Sequence, residues 1–87
     1  VPPAVTPGAL DFPERMEGWI GVFSPDGEAR GVEIRGLYYA LHDSVLTSGF
    51  PLGASNHFTG QAASVSAREG TLLVMWRERA ASLVHRL

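Results

Sequence analysis

Hydrophobic and polar positions change period several times along the chain, and each change marks an element. Residues 1–17 (VPPAVTPGALDFPERME) have no clear period and hold four of the six prolines. Proline fixes φ and cannot donate to a ladder, so residues 1–18 read as a linker or an extended arm. Trp19-Ile20-Gly21-Val22-Phe23 is a short apolar, β-prone run. Ser24-Pro25-Asp26-Gly27 carries turn residues, and Ala29 to Arg35 alternates with Val32 and Ile34 on one face. Together residues 19–35 predict a β-hairpin.

After Gly36-Leu37-Tyr38-Tyr39-Ala40-Leu41, His42-Asp43-Ser44 forms a polar break before a brief strand at Val45-Leu46-Thr47. Residues 48–60 (SGFPLGASNHFTG) read as a loop. Ala63 to Ala67 alternates, Arg68-Glu69-Gly70 is a turn, and Thr71 to Trp76 is continuously apolar. These predict a second hairpin whose last strand is covered on both faces. In the final stretch Ala80, Leu83, Val84 and Leu87 fall at i, i+3, i+4 and i+7, so residues 77–87 predict a short helix. Short strands with turns about ten residues apart indicate an all-β sandwich or barrel.

Composition narrows the function. The chain has 87 residues, 45% apolar and 18% charged, with a net charge of −2. One domain is the limit at this length, and small domains need extra stabilisation. Cysteine is absent, which removes disulfides and thiolate metal sites. All seven basic residues are arginine, so neither a P-loop lysine nor a Schiff base is available. The acidic balance and the scattered arginines argue against nucleic acid. No long apolar run suggests a membrane partner. No secretory signal is visible, and a cytoplasmic setting is expected.

Conventional catalytic sets are weak. His42, His57 and His85 lack zinc-ligand spacing. A Ser–His–Asp set could be assembled from Ser44 or Ser55, His42 or His57, and Asp43 or Asp26, but there is no G-x-S-x-G elbow. The acids are dispersed, and no cluster is available to hold magnesium. The informative loop is 48–60. It holds the sole asparagine, Asn56, beside Ser55, with Phe50, Phe58 and three glycines. An Asx or ST turn accounts for the pair in one reading. In the other, a short polar pair among aromatics orients a small polar ring.

The order of segments carries a resemblance. Gly36-Leu37-Tyr38-Tyr39-Ala40-Leu41, then Leu46, then Gly53-Ala54-Ser55-Asn56-His57-Phe58, then Val65-Ser66 and Gly70-Thr71-Leu72-Leu73-Val74 resemble the C-terminal thiamin-binding domain of thiamin pyrophosphokinases over about residues 19–76. The resemblance implies a small β-sandwich of short antiparallel strands, here followed by the short C-terminal helix. It also implies a two-domain enzyme that transfers diphosphate from ATP to thiamin. The N-terminal domain would bind ATP and Mg²⁺ and supply the catalytic acids. The sandwich would bind thiamin and form a homodimer, with each thiamin site shared between subunits.

By the same resemblance, Tyr39 stacks on the aminopyrimidine ring, Ser55 and Asn56 line the pocket, and Gly53 leaves room for it. Two positions depart from the pattern: His57 stands where bacterial members often have Glu, and Ala40 where proline is common. No stretch before residue 19 resembles the ATP domain. The chain opens on Val1, and it is expected to be a piece or relic of a longer kinase, inactive by itself. A stand-alone association module without ligand is the alternative.

Overall fold

The computed structural model describes residues 4–6, 8–25, 27–48, 56–77 and 79–85. Among the described residues nine strands form two antiparallel sheets: β1 (Ala4–Thr6), β2 (Ala9–Phe12), β3 (Trp19–Phe23), β4 (Glu28–Arg35), β5 (Leu41–Thr47), β6 (Asn56–His57), β7 (Ala63–Ser66), β8 (Thr71–Trp76) and β9 (Arg79–His85). One sheet has the order β1-β2-β7-β4-β5 and the other β6-β3-β8-β9. The all-β class and the small sandwich are as the sequence predicts, and no helix occurs among the described residues.

The alternating strands supply the core. Leu10 and Phe12 of β2, Val32 and Ile34 of β4, Leu46 of β5 and Val65 of β7 bury one face of the first sheet. Ile20 and Val22 of β3 and Leu72, Val74 and Trp76 of β8 bury the facing side of the second. Inward positions recur every two residues, as a sandwich requires. Phe12 joins the sheets: its ring lies edge-on to Phe58 at 5.1 Å and to Trp76 at 5.0 Å between centroids.

Neither expected hairpin forms. β3 and β4 belong to different sheets, and so do β7 and β8. The turns at 24–27 and 67–70 therefore carry the chain across the core. Two strands that each bury one face can pair edge to edge or pack face to face, and a local turn signal is the same for both. Long-range partners decide: β3 pairs with β8, and β4 with β7. The second turn is fastened by Arg30, which exchanges main-chain hydrogen bonds with Glu69 at 2.9 and 3.1 Å. At Gly70 φ is +90°, and an added Cβ would stand 2.6 Å from the Glu28 carbonyl oxygen.

Residues 79–85 form strand β9, not the expected helix, with Leu73 opposite Leu83 and Leu72 opposite Val84. A short apolar stripe makes only a marginal helix. The same residues satisfy the open edge of β8, an apolar strand whose ladder groups would otherwise lack partners. Nor does the proline-rich start run free as a linker. β2 pairs with β7 over Ala9–Phe12, and Leu10, Phe12 and Met16 are buried. Pro13 follows β2, so it bounds that strand without removing a ladder donor.

β8 buries Leu72, Val74 and Trp76 fully and the alternate positions partly, so its coverage on the second face is incomplete. The brief strand expected at 45–47 is longer, because the polar break at His42-Asp43-Ser44 is a bulge inside β5. The β4–β5 register shifts twice, and Asp43 takes φ +44°. Bulges of this kind blunt an edge strand against foreign pairing.

Candidate ligand site around Tyr39 and Asn56

A short segment before β5 is fastened along β6. The Thr59 hydroxyl donates to the Gly36 carbonyl at 2.8 Å. Leu37 bridges Phe58, and the Tyr38 N–H donates to the His57 carbonyl at 3.0 Å. At Tyr39, side-chain bonds take over. The Tyr39 N–H donates to Asn56 Oδ1 at 2.9 Å, and Asn56 Nδ2 donates back to the Tyr39 carbonyl at 2.8 Å. Asn56 Oδ1 also accepts the His57 N–H at 3.0 Å. One amide thus reproduces the donor–acceptor pair of a strand neighbour.

Gly36 starts this segment at φ +76°. An added Cβ would lie 2.1 Å from the Ala62 carbonyl oxygen, so only glycine fits without backbone movement.

Asn56 is 1% exposed, whereas Tyr39 is 58% exposed. The structure therefore brings these two expected site residues together, with the amide turned to the tyrosine's main chain and the ring presented to solvent. Gly53 and Ser55 lie outside the described residues.

Three further rings join this place: His57, which stands out in the sequence as a departure from the family's pattern, and Tyr38 and Trp19, which do not. Tyr38, 60% exposed, stacks on His57 at 4.5 Å and 26°. Its other neighbour is Tyr39, edge-on at 4.8 Å. Trp19 lies directly across from His57 in the β3–β6 ladder. Trp19 alternates with buried Ile20 and Val22 and so points outward. A large aromatic in the outward phase of a strand was the available signal.

The other candidate sets assemble differently. The Ser44 hydroxyl donates to the His42 carbonyl at 3.1 Å, so it is committed to main chain. His42 Nδ1 lies 2.8 Å from Glu33 Oε1, which also accepts the Asp43 N–H at 3.2 Å. Asp43 in turn accepts from Arg68 Nη1 at 2.9 Å. This network braces the β5 bulge. Among the described residues no group of three or more His, Asp or Glu could hold a metal ion.

The hydrogen bond from His42 holds the Glu33 carboxyl below its ordinary range, with Asp43 and Arg35 assisting and desolvation opposing. A lowered carboxyl contributes stability that is complete above the ordinary pKa and is lost as pH falls through the folded value. The wild type is expected to melt above a Glu33→Gln variant at pH 7, and the gap should close below about pH 4. Parallel melting curves from pH 7 to 3 would remove this role from Glu33.

A family model described as the vitamin B1 binding domain of thiamin pyrophosphokinase matches residues 9–72. The chain belongs to this family. The match includes β2, in keeping with a thiamin pyrophosphokinase domain that starts before Trp19. Thiamine pyrophosphokinase from Bacillus subtilis shares the fold, with a TM-score of 0.66 at 22% identity, over 78% of this chain and 32% of that one. This B1-binding domain thus spans about a third of that protein's length. No curated protein matches the chain.

Proposed function

We propose that this chain receives thiamin and joins two subunits in a thiamin pyrophosphokinase, an enzyme that transfers diphosphate from ATP to the vitamin's hydroxyl. The observation that carries the reading is the Asn56 amide holding Tyr39 by both main-chain groups while leaving its ring open. An aromatic face fixed in this way can stack on a flat, electron-poor ring at little further entropic cost. Family membership supplies the vitamin.

In this reading Tyr39 stacks on the aminopyrimidine, and Asn56 fixes the tyrosine and thereby the orientation of the ring. Ser55 and Gly53, in the loop leading to β6, complete the pocket wall. ATP and Mg²⁺ are held by a separate, N-terminal catalytic domain that supplies the reacting groups, so the chain is inactive alone. The enzyme is a cytoplasmic homodimer, and each thiamin lies between one subunit's sandwich and the other's catalytic domain. Small size and exposed apolar surface give a physical motive for association.

Calorimetric titration of thiamin into this chain, alone and mixed with a thiamin pyrophosphokinase catalytic domain, tests the reading. Binding that appears or strengthens in the mixture is expected. No binding under either condition would leave an association module without ligand. Sedimentation at high micromolar concentration should show a dimer, and a monomer there counts against the subunit-joining role.

A further inference from the structure

Three of the four large apolar side chains that the described residues expose are Trp19, Tyr38 and Tyr39; the fourth, Val45, is on β5. The three gather around His57. Tyr39 touches Tyr38, Tyr38 stacks on His57, and His57 faces Trp19 across the ladder. Directly opposed residues of an antiparallel pair share a face, with Cβ atoms about 5 Å apart. Tyr39, Tyr38 and His57 form a row of three rings, of which the family's motif accounts for Tyr39, and Trp19 stands on the same face opposite His57.

The far end of the row is built and not incidental. Trp19 is 42% exposed, yet its ring edge lies over Gly21. A Cβ at Gly21 would meet Trp19 Cη2 and Cζ2 at 2.6 Å. Glycine at this outward position lets the indole lie along the sheet surface. Tyr38 is held from two sides, by its N–H on the His57 carbonyl and by its ring on the imidazole. Both rings are therefore placed before any ligand arrives.

We propose that Tyr38 and Trp19, on either side of His57, form a second platform that takes a positively charged flat ring. This deepens the thiamin reading and rests on it. Thiamin joins a neutral aminopyrimidine to a cationic thiazolium, and one tyrosine cannot cover both. Aromatic faces attract cations through the ring quadrupole, indole most strongly. Tyr39 takes the neutral ring, and Tyr38 with Trp19 takes the charged one.

The test separates the two rings. Two probes are titrated into the chain, alone and with a catalytic domain: thiamin, and its hydroxymethyl aminopyrimidine half without the thiazolium. Trp19→Leu and Tyr38→Leu should each weaken thiamin about tenfold, while the aminopyrimidine half changes less than twofold. Tyr38→Phe, which keeps the ring, should restore wild-type affinity. Both positions are exposed, and unchanged thermal melts would confirm that the variants fold. Equal losses for both probes, or no loss for thiamin, overturn the second platform and leave the thiamin reading standing. If the wild type binds neither probe under either condition, the reading and the platform fall together.

Discussion

Phe12→Ala is expected to remove a large part of the chain's stability. Its ring fills the space between the sheets, edge-on to Phe58 and Trp76, and is 2% exposed. Truncating a buried phenylalanine costs about 3–5 kcal/mol, because the lost transfer energy is joined by a cavity. A domain of this size has roughly 5–10 kcal/mol in total, so about a third of it or more would be lost. Neighbouring Asp11 is exposed on the same strand, and Asp11→Ala should be nearly neutral. Urea titration followed by tryptophan fluorescence reads both, with buried Trp76 reporting the core. A loss of under 1 kcal/mol for Phe12→Ala would show that residues 9–12 merely lean on the sandwich.

That outcome bears on how the chain reads. Alternation located β4 and β7, because a half-buried strand must alternate whatever it pairs with, and short apolar runs located β3 and β8. Val32 and Ile34, or Ile20 and Val22, needed no further information. Pairing was different. The turns at 24–27 and 67–70 look the same whether the chain folds back in one sheet or crosses to the other. The segment 9–12 was hidden by the prolines on either side of it in the sequence, which mark where strands stop as readily as where structure is absent. Residues 79–85 were hidden because an adjacent apolar pair such as Leu83-Val84 suits a helical stripe and a strand alike. The unmet hydrogen bonds of β8 settle that choice, and they are visible only once β8 has a place.

The site shows the same division. Tyr39 and Asn56 are 17 residues apart and could be brought together only through the resemblance, since no local period links them. The bonds between them were not legible, because a side-chain amide standing in for a strand neighbour leaves no pattern in sequence. The placing of Trp19 opposite His57 was missed for a related reason. Trp19 reaches His57 by the β3–β6 register, which depends on the whole second sheet.

Asn56→Leu should be the most damaging single change at the site. It leaves the Tyr39 N–H and carbonyl and the His57 N–H without their partner. Each buried group left unpaired costs about 1–3 kcal/mol, and water recovers part of this at exposed Tyr39, so about 2–4 kcal/mol is expected in total. In a complete enzyme carrying this domain, the thiamin KM should rise far more than the ATP KM, because the displaced group is the stacking tyrosine. Equal changes in both would mean that the fold and not the ring platform had been lost.

Asn56→Asp separates the two halves of the clamp. A carboxylate still accepts from Tyr39 and His57 but faces the Tyr39 carbonyl oxygen with no proton between them. The two N–H groups favour the charge, but full burial and the facing carbonyl oxygen oppose it more strongly, so folding raises the pKa of the introduced carboxyl. Stability from a raised carboxyl is present below the ordinary pKa and is lost as pH rises through the folded value. This variant should therefore approach wild-type stability as pH falls toward about 4, whereas Asn56→Leu should stay destabilised throughout. If the Asp variant instead matched the wild type at every pH, the donation from Nδ2 to the Tyr39 carbonyl would contribute nothing and the tyrosine would be held by the acceptor half alone.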